Sequence, residues 1–275
     1  MRRFGAALAL LALLPAPASR ADVLANVRAR GSVRVGVSEG VPWMMRDAGD
    51  APMGFTVDLA ERLASDLGVA LELITLPHAE LVPAVAAGRV DVASGLSITV
   101  QRALEVDFTS SLATSQIEVV AHLDPDGARF GLDALDREQV KIAFEAGTLF
   151  EDLARVRFPN AVLAPAASEA DARAALLEGQ VQALIAAKPL PELLARGSPE
   201  TLFQPADAAL YTTAEGLAVR RGETAWLRVL DAWIVEQKAS GFLARTRAYW
   251  FDDTEWVGRL AKLLRETVQE PPARN

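Results

Sequence analysis

From Ser32 onward the chain alternates between two hydrophobic rhythms. Ser32–Val37 (SVRVGV) places apolar residues at every second position, the period of a strand. Phe55–Leu67 (FTVDLAERLASDL) carries them at helical spacing. The pattern then predicts a strand over Ala70–Leu76, a helix over Leu81–Ala87 and a short strand over Val90–Ala93. The same order recurs, with strands at Val140–Phe144, Ala161–Ala164 and Val181–Ala186 and helices at Phe150–Arg157 and Glu169–Glu178. Strands separated by helical stretches predict βαβ units and a mostly parallel sheet, here in two halves before residue 200. Gly216–Val219 reads as one more strand, followed by helical stretches over Thr224–Lys238 and Phe242–Trp250. Trp256, Leu260, Leu263, Leu264 and Val268 continue at helical spacing into a tail ending Glu270-Pro271-Pro272 and beyond, which is expected to fray.

The first residues follow another logic. Arg2 and Arg3 precede an apolar run, Phe4–Pro15, and then the small residues Ala16-Pro17-Ala18-Ser19-Arg20-Ala21, the three-part layout of a secretory signal peptide. The run is shorter than the roughly twenty residues of a bilayer-spanning helix. Ser19 and Ala21 suit the cleavage positions, so residues 1–21 are expected to be removed and Asp22 to begin the mature chain. The absence of cysteine removes a lipid anchor, disulfides, thiolate metal sites and cysteine nucleophiles together. His78 and His122 are the two histidines, too few for a multi-histidine metal site, and no cofactor is expected.

Charge narrows the partner. The 275 residues hold 28 Lys and Arg against 36 Asp and Glu, a formal charge of −8. Losing Arg2, Arg3 and Arg20 leaves 25 against 36, or −11, which argues against nucleic acid. With 51% hydrophobic residues the chain can nevertheless bury a substantial core.

Candidate chemistry concentrates in Asp91–Leu112, DVASGLSITVQRALEVDFTSSL. Gly95 lets a ligand approach the backbone, and Ser97 and Thr99 place two hydroxyls on one face of an extended segment. Thr99 suits the N-cap of a helix whose first turn holds Arg102, a planar two-pronged donor to a carboxylate. These residues together form an anion clamp.

The same segment resembles family 3 of the bacterial solute-binding proteins, the periplasmic receptors of polar amino-acid ABC importers. Gly95-Leu96-Ser97-Ile98-Thr99-Val100-Gln101-Arg102 is similar to the family's "Gly-hydrophobic-Thr-x-Thr-x-x-Arg", and Val106-Asp107-Phe108-Thr109 to its "Val-Asp-Phe-Ser". Upstream, Gly54-Phe55-Thr56-Val57-Asp58-Leu59-Ala60 and Leu81-Val82-Pro83-Ala84-Val85 with Gly88-Arg89-Val90-Asp91 also match. Downstream, Asp231-Ala232-Trp233-Ile234, Gly241-Phe242-Leu243 and Tyr249-Trp250-Phe251 resemble the closing helices.

The resemblance implies an α/β, two-lobed periplasmic-binding-protein fold of type II. Each lobe would be a mostly parallel sheet flanked by helices, joined to the other by two hinge strands near Ser111–Ile117 and Tyr211–Gly216. Lobe 1 would comprise 22–113 plus 214–260, lobe 2 would comprise 114–213, and 261–275 would be a C-terminal tail. It further implies that Arg102 grips a ligand carboxylate with help from Ser97. Gly147 and Thr148 would contribute at a helix N-terminus of the second lobe, and Trp43 and His78 would cover the ligand. The expected protein is a periplasmic monomer that captures a small carboxylate ligand, an amino acid or related organic acid, for an ABC transporter permease.

One position departs from the pattern. Where amino-acid binders have an Asp to pair with the ligand's ammonium, this chain has Ala187, with Lys188 and Pro189 after it. Either another acid compensates, with Glu39, Glu145 and Glu192 as candidates, or the ligand is a carboxylate lacking the ammonium, which Lys188 would favour as an additional anion donor. Two other readings share the scaffold: a cyclohexadienyl dehydratase-like lyase, which needs a placed acid–base group where the stretch after Ala187 offers Lys188, Pro189 and Leu190, and a sensory or partner-binding module.

Overall fold

The computed structural model describes residues 22–205, 209–253 and 255–260. The expected signal peptide and the tail from 261 lie outside the described residues.

Its frame is one continuous curled sheet. Ala70–Thr75, Ser32–Val37 and Val92–Ser97 form a parallel trio at one end. Ala183–Ala187, Lys141–Glu145 and Val162–Ala166 form a second parallel trio at the other. Between them run two ten-residue strands, Ala113–His122 and Tyr211–Arg220, paired antiparallel from Tyr211 opposite Ile117 to Glu215 opposite Ala113. The chain passes along the first of these from one trio toward the other and returns along the second. Two α/β lobes joined by a pair of shared strands are the type II periplasmic-binding-protein architecture.

Each trio is parallel because helices carry the chain back over its faces. Phe55–Leu67 buries Phe55, Val57, Leu59, Ala60, Leu63 and Ala64 against the first, the stripe that its sequence spacing predicts. It stops at Gly68, whose left-handed φ of 67° lets its N–H reach back to the Ala64 and Ser65 carbonyls. It starts at Gly54, φ 139°, where any Cβ would overlap the Trp43 carbonyl, so no other residue fits. The Thr224–Ala239 helix buries Trp226, Leu230, Trp233 and Ile234, and the Trp226 indole donates to the Asp91 carbonyl at 2.9 Å. In the second lobe Glu169–Leu177 begins at Ser168, whose Oγ accepts from the Asp171 amide. Ile117, Ile142, Phe144, Phe158 and Ile185 make up part of that lobe's core.

The elements differ from the sequence reading mainly at their ends. The strand expected at Val90–Ala93 runs instead over Val92–Ser97, carrying the sheet into the clamp segment. The strand expected at Gly216–Val219 extends over Tyr211–Arg220 because its first half pairs with Ala113–His122, a partner the local pattern does not reveal. The helix expected through Trp250 ends at Arg247 and widens into a looser turn over Ala248–Asp252, which buries Trp250 and Phe251. Val23–Arg30 and Leu190–Gly197 are additional helices.

Both trios point the carboxyl ends of their strands toward the space between the lobes, the place where open α/β sheets bind ligands. Ser38 and Glu39 follow the Ser32–Val37 strand, Gly95 and Ser97 end the next, Glu145 and Ala187 end two strands of the second trio, and Glu169 opens the helix that follows the third.

Candidate functional site

Those strand ends enclose a cleft with an empty volume of about 700 Å³, mouth included. Trp43, His78, Ser94, Gly95, Ser97 and Arg102 line it from one side, and Glu145, Thr148, Glu169 and Ala187 from the other. Ser115, Thr213 and Glu215, on the two shared strands, form its floor.

Arg102 is held by its own segment. Thr99 caps the short Val100–Ala103 helix, its Oγ1 accepting from the Arg102 amide at 3.2 Å. One guanidinium nitrogen donates to the Ser97 carbonyl at 3.0 Å. The other lies 3.0 Å from His78 Nε2 and donates across the cleft to the Gly147 carbonyl at 3.3 Å. Arginine has only donors, so His78 Nε2 is the acceptor and its proton sits on Nδ1. Burial, reinforced by the guanidinium, pushes the His78 pKa down to about 3, so the ring is neutral at physiological pH. Burial lowers the Arg102 pKa too, opposed by the charge of Asp152, yet the group stays charged at neutral pH. All its hydrogen bonds go to neutral acceptors, so among the described residues no carboxylate bonds this guanidinium.

Gly95 adopts φ 78°, and a Cβ there would stand 3.3 Å from the Trp43 ring. The indole thus lies against bare backbone. Its edge is fixed by Phe251, centroids 5.2 Å apart, and its Nε1 donates to Glu215 at 3.2 Å.

Three buried carboxyls complete the wall. Glu145, 8% exposed, makes no side-chain hydrogen bond among the described residues, and burial together with the neighbouring Glu169 charge raises its pKa to about 8. Burial raises Glu215 to about 7 against the opposing hydrogen bond of Trp43 and the charge of Arg247. Glu169 is also raised by burial, but Arg173 donates to it at 2.7 Å and the Val41 amide at 2.6 Å.

The structure therefore brings Trp43, His78, Gly95, Ser97, Arg102 and Thr148 to one cleft, with Thr99 and Gly147 supporting its walls. Thr148 Oγ1 donates to the Glu145 carbonyl at 2.7 Å and accepts from the Phe150 amide at 3.2 Å, so it caps the Leu149–Arg157 helix. Lys188 is not on the cleft wall: its Nζ lies 3.4 Å from Asp252. Ala186 and Ala187 line the cleft, and the strand ends there, so Lys188 belongs to the turn that leaves it. Of the acids considered to replace the missing Asp, Glu145 is buried in the wall. Glu39 sits on the exposed rim beside Arg46, and Glu192 pairs with Arg196. Sequence reasoning missed Glu169 and Glu215. Glu215 had one available signal, an acid embedded in the apolar stretch Ala214–Val219.

Gly147 marks where the lobes meet. Its φ is 73°, and a Cβ would lie 2.7 Å from the Ala79 Cβ across the cleft. Gly147→Ala is therefore expected to hold the lobes apart and weaken ligand affinity at least tenfold. The stability cost would be only about 1–2 kcal/mol of left-handed strain. Calorimetric titration beside a urea melt separates the two effects, and unchanged affinity would mean that this contact does not limit closure.

Two lobes, shared strands and a cleft lined by a guanidinium with no carboxylate partner among the described residues define a two-lobed binding protein. Bacterial extracellular solute-binding proteins, family 3, match over residues 33–253, and the chain belongs to that family. It is similar to the L-cystine-binding protein TcyJ of Escherichia coli (strain K12), 23% identical over 231 residues covering 83% of this chain and 86% of that one. It is also similar to the cyclohexadienyl dehydratase of Pseudomonas aeruginosa, 26% identical over 251 residues covering 90% and 93%. Among solved structures, the ancestral amino acid-binding protein AncCDT-1, a precursor of cyclohexadienyl dehydratase, superposes with a TM-score of 0.75 at 26% identity. That match covers 84% of this chain and all of the other.

Proposed function

We propose that this protein is a periplasmic, monomeric receptor that captures a small carboxylate ligand, an amino acid, and delivers it to the permease of an ABC importer. Lobe 1 is taken as 22–113 with 214–260 and lobe 2 as 114–213. The change of strand partners along the two shared strands supports that division. The observation that carries the reading is Arg102, a half-buried guanidinium bonded only to neutral acceptors among the described residues, in a cleft walled by both lobes. A guanidinium partly withdrawn from water and lacking a charge partner is stabilised when an anion joins it. The ligand's carboxylate is that anion, with Ser97 beside it, Trp43 and His78 covering the ligand, and closure driven by contacts made to both lobes. The family membership and the amino-acid binding named for its relatives support the same reading.

The test is a thermal-shift panel of amino acids, keto acids and dicarboxylates on protein freed of bound ligand. At a hundredfold excess over Kd, linkage supplies about 2.7 kcal/mol, which for a chain of this size raises Tm by roughly 5–10 °C. An amino acid giving that rise supports the proposal; a panel in which no carboxylate compound moves Tm overturns it.

A second reading, a lyase, is favoured by one observation. Glu145 keeps its proton to about pH 8 inside the cleft and can thereby donate one. Steady turnover of prephenate would establish that reading, and its absence alongside amino-acid binding would leave the receptor.

A further inference from the structure

Charge in the cleft is unevenly matched. On the cationic side stands Arg102, with Asp152 facing it from the next lobe. On the anionic side stand Glu145, Glu169 and Glu215. Glu169 is compensated by Arg173, both at most 9% exposed. Glu145 faces Glu169 and has no hydrogen-bond donor among the described residues. Glu215 receives the neutral Trp43 indole; the one cation facing it, Arg247, hydrogen-bonds Asp252 at 3.1 Å and the Thr114 carbonyl instead. His78 contributes no charge. Among the described residues the wall therefore offers one cation and two carboxyls that form no ion pair. A second feature marks the same wall as built for a ligand: Ser94 Oγ, on a residue 2% exposed, lines the cleft without a hydrogen-bond partner.

We infer that the preferred ligand is a dibasic amino acid, with one carboxylate for Arg102 and two cationic groups received by Glu145 and Glu215 in place of the acid missing at Ala187. The inference rests on the receptor reading and narrows it to one charge class. Three ligand charges against three protein charges leave the closed cleft neutral, whereas a neutral amino acid leaves one carboxyl that must stay protonated or remain uncompensated. A carboxyl that holds its proton in the free protein gives it up when a fixed cation arrives. Binding at pH 7 therefore ejects protons, mostly from Glu145 with a share from Glu215.

The experiment is calorimetric titration of the wild-type protein with L-arginine, L-lysine, L-glutamine and L-citrulline. It is run at pH 7 in two buffers of different ionisation enthalpy, so that the difference in heat counts protons released. L-citrulline keeps the shape of L-arginine without its guanidinium charge. The expected result is that L-arginine or L-lysine binds at least a hundredfold tighter than L-citrulline, with net proton release. Glu145→Gln should cut that preference at least tenfold and reduce the protons released. If this variant fails to fold, Glu215→Gln is read the same way. L-glutamine or L-citrulline binding as tightly as L-arginine, or dibasic binding without proton release, overturns the inference and leaves the receptor intact. Failure of all four alongside no response in the wider panel removes the receptor reading as well.

Discussion

Replacing Arg102 with alanine is expected to lower the affinity for the ligand by about a hundred- to a thousandfold, the consequence of deleting two charge-assisted hydrogen bonds to a buried carboxylate. Arg102→Lys should recover only part of the loss. An ammonium keeps the charge but not the flat fork, and it cannot hold the Ser97 and Gly147 carbonyls and a ligand together. The fold should tolerate both changes, because Arg102 forms no ion pair among the described residues and its helix is capped by Thr99 rather than by its own side chain. Calorimetry on the two variants checks this order. Equal affinity of wild type and Arg102→Ala for the same carboxylate ligand would remove Arg102 from the site.

The second large effect concerns stability and pH. Burial and the Glu169 charge hold the Glu145 carboxyl to a pKa of about 8, against 4.5 for the unperturbed group. Between those values the unfolded chain has lost the proton that the folded protein keeps. Stability of the ligand-free protein therefore falls as pH rises from about 4.5 to 8, and this one residue contributes up to about 3–5 kcal/mol of the fall. Glu215, held to about 7, adds in the same direction over a narrower range. Glu145→Gln should match wild type below pH 4.5 and exceed it in stability by several kcal/mol near pH 8.5, with urea midpoints at the two pH values as the readout. Parallel profiles would mean that Glu145 is ionised and satisfied in the free protein. A site that destabilises its own scaffold until ligand arrives is the trade expected where binding sets the sequence.

The clamp was legible because its residues lie within eight positions of one another, and local geometry brings them to one end of one strand. Ser97, Thr99 and Arg102 need only the extended-to-helical turn that their own sequence predicts. The βαβ alternation was legible for the same reason, since each strand and helix declares its period locally. The carboxyls were not. Glu169 sits immediately after an N-capping serine, where an acid is ordinarily explained by the helix terminus, and only the approach of Val41 from the other lobe makes it part of the cleft. Glu215 lies on a strand whose first half is specified by pairing with residues a hundred positions away. Lys188 misled for the converse reason: its sequence position beside Ala187 is one residue from the cleft, but the strand ends at Ala187 and the turn that follows carries the side chain to Asp252. Long-range pairing thus decided which charges face the ligand, while local pattern decided where the clamp would be.

The most direct test of the account is a crystal structure of the protein with the amino acid that gives the largest thermal shift. The account predicts the ligand enclosed between the lobes, its carboxylate within about 3 Å of the Arg102 guanidinium in charge-assisted hydrogen bonds. Its cationic groups should lie against Glu145 and Glu215. A ligand bound outside the cleft, or inside it with the carboxylate turned away from Arg102, would contradict it.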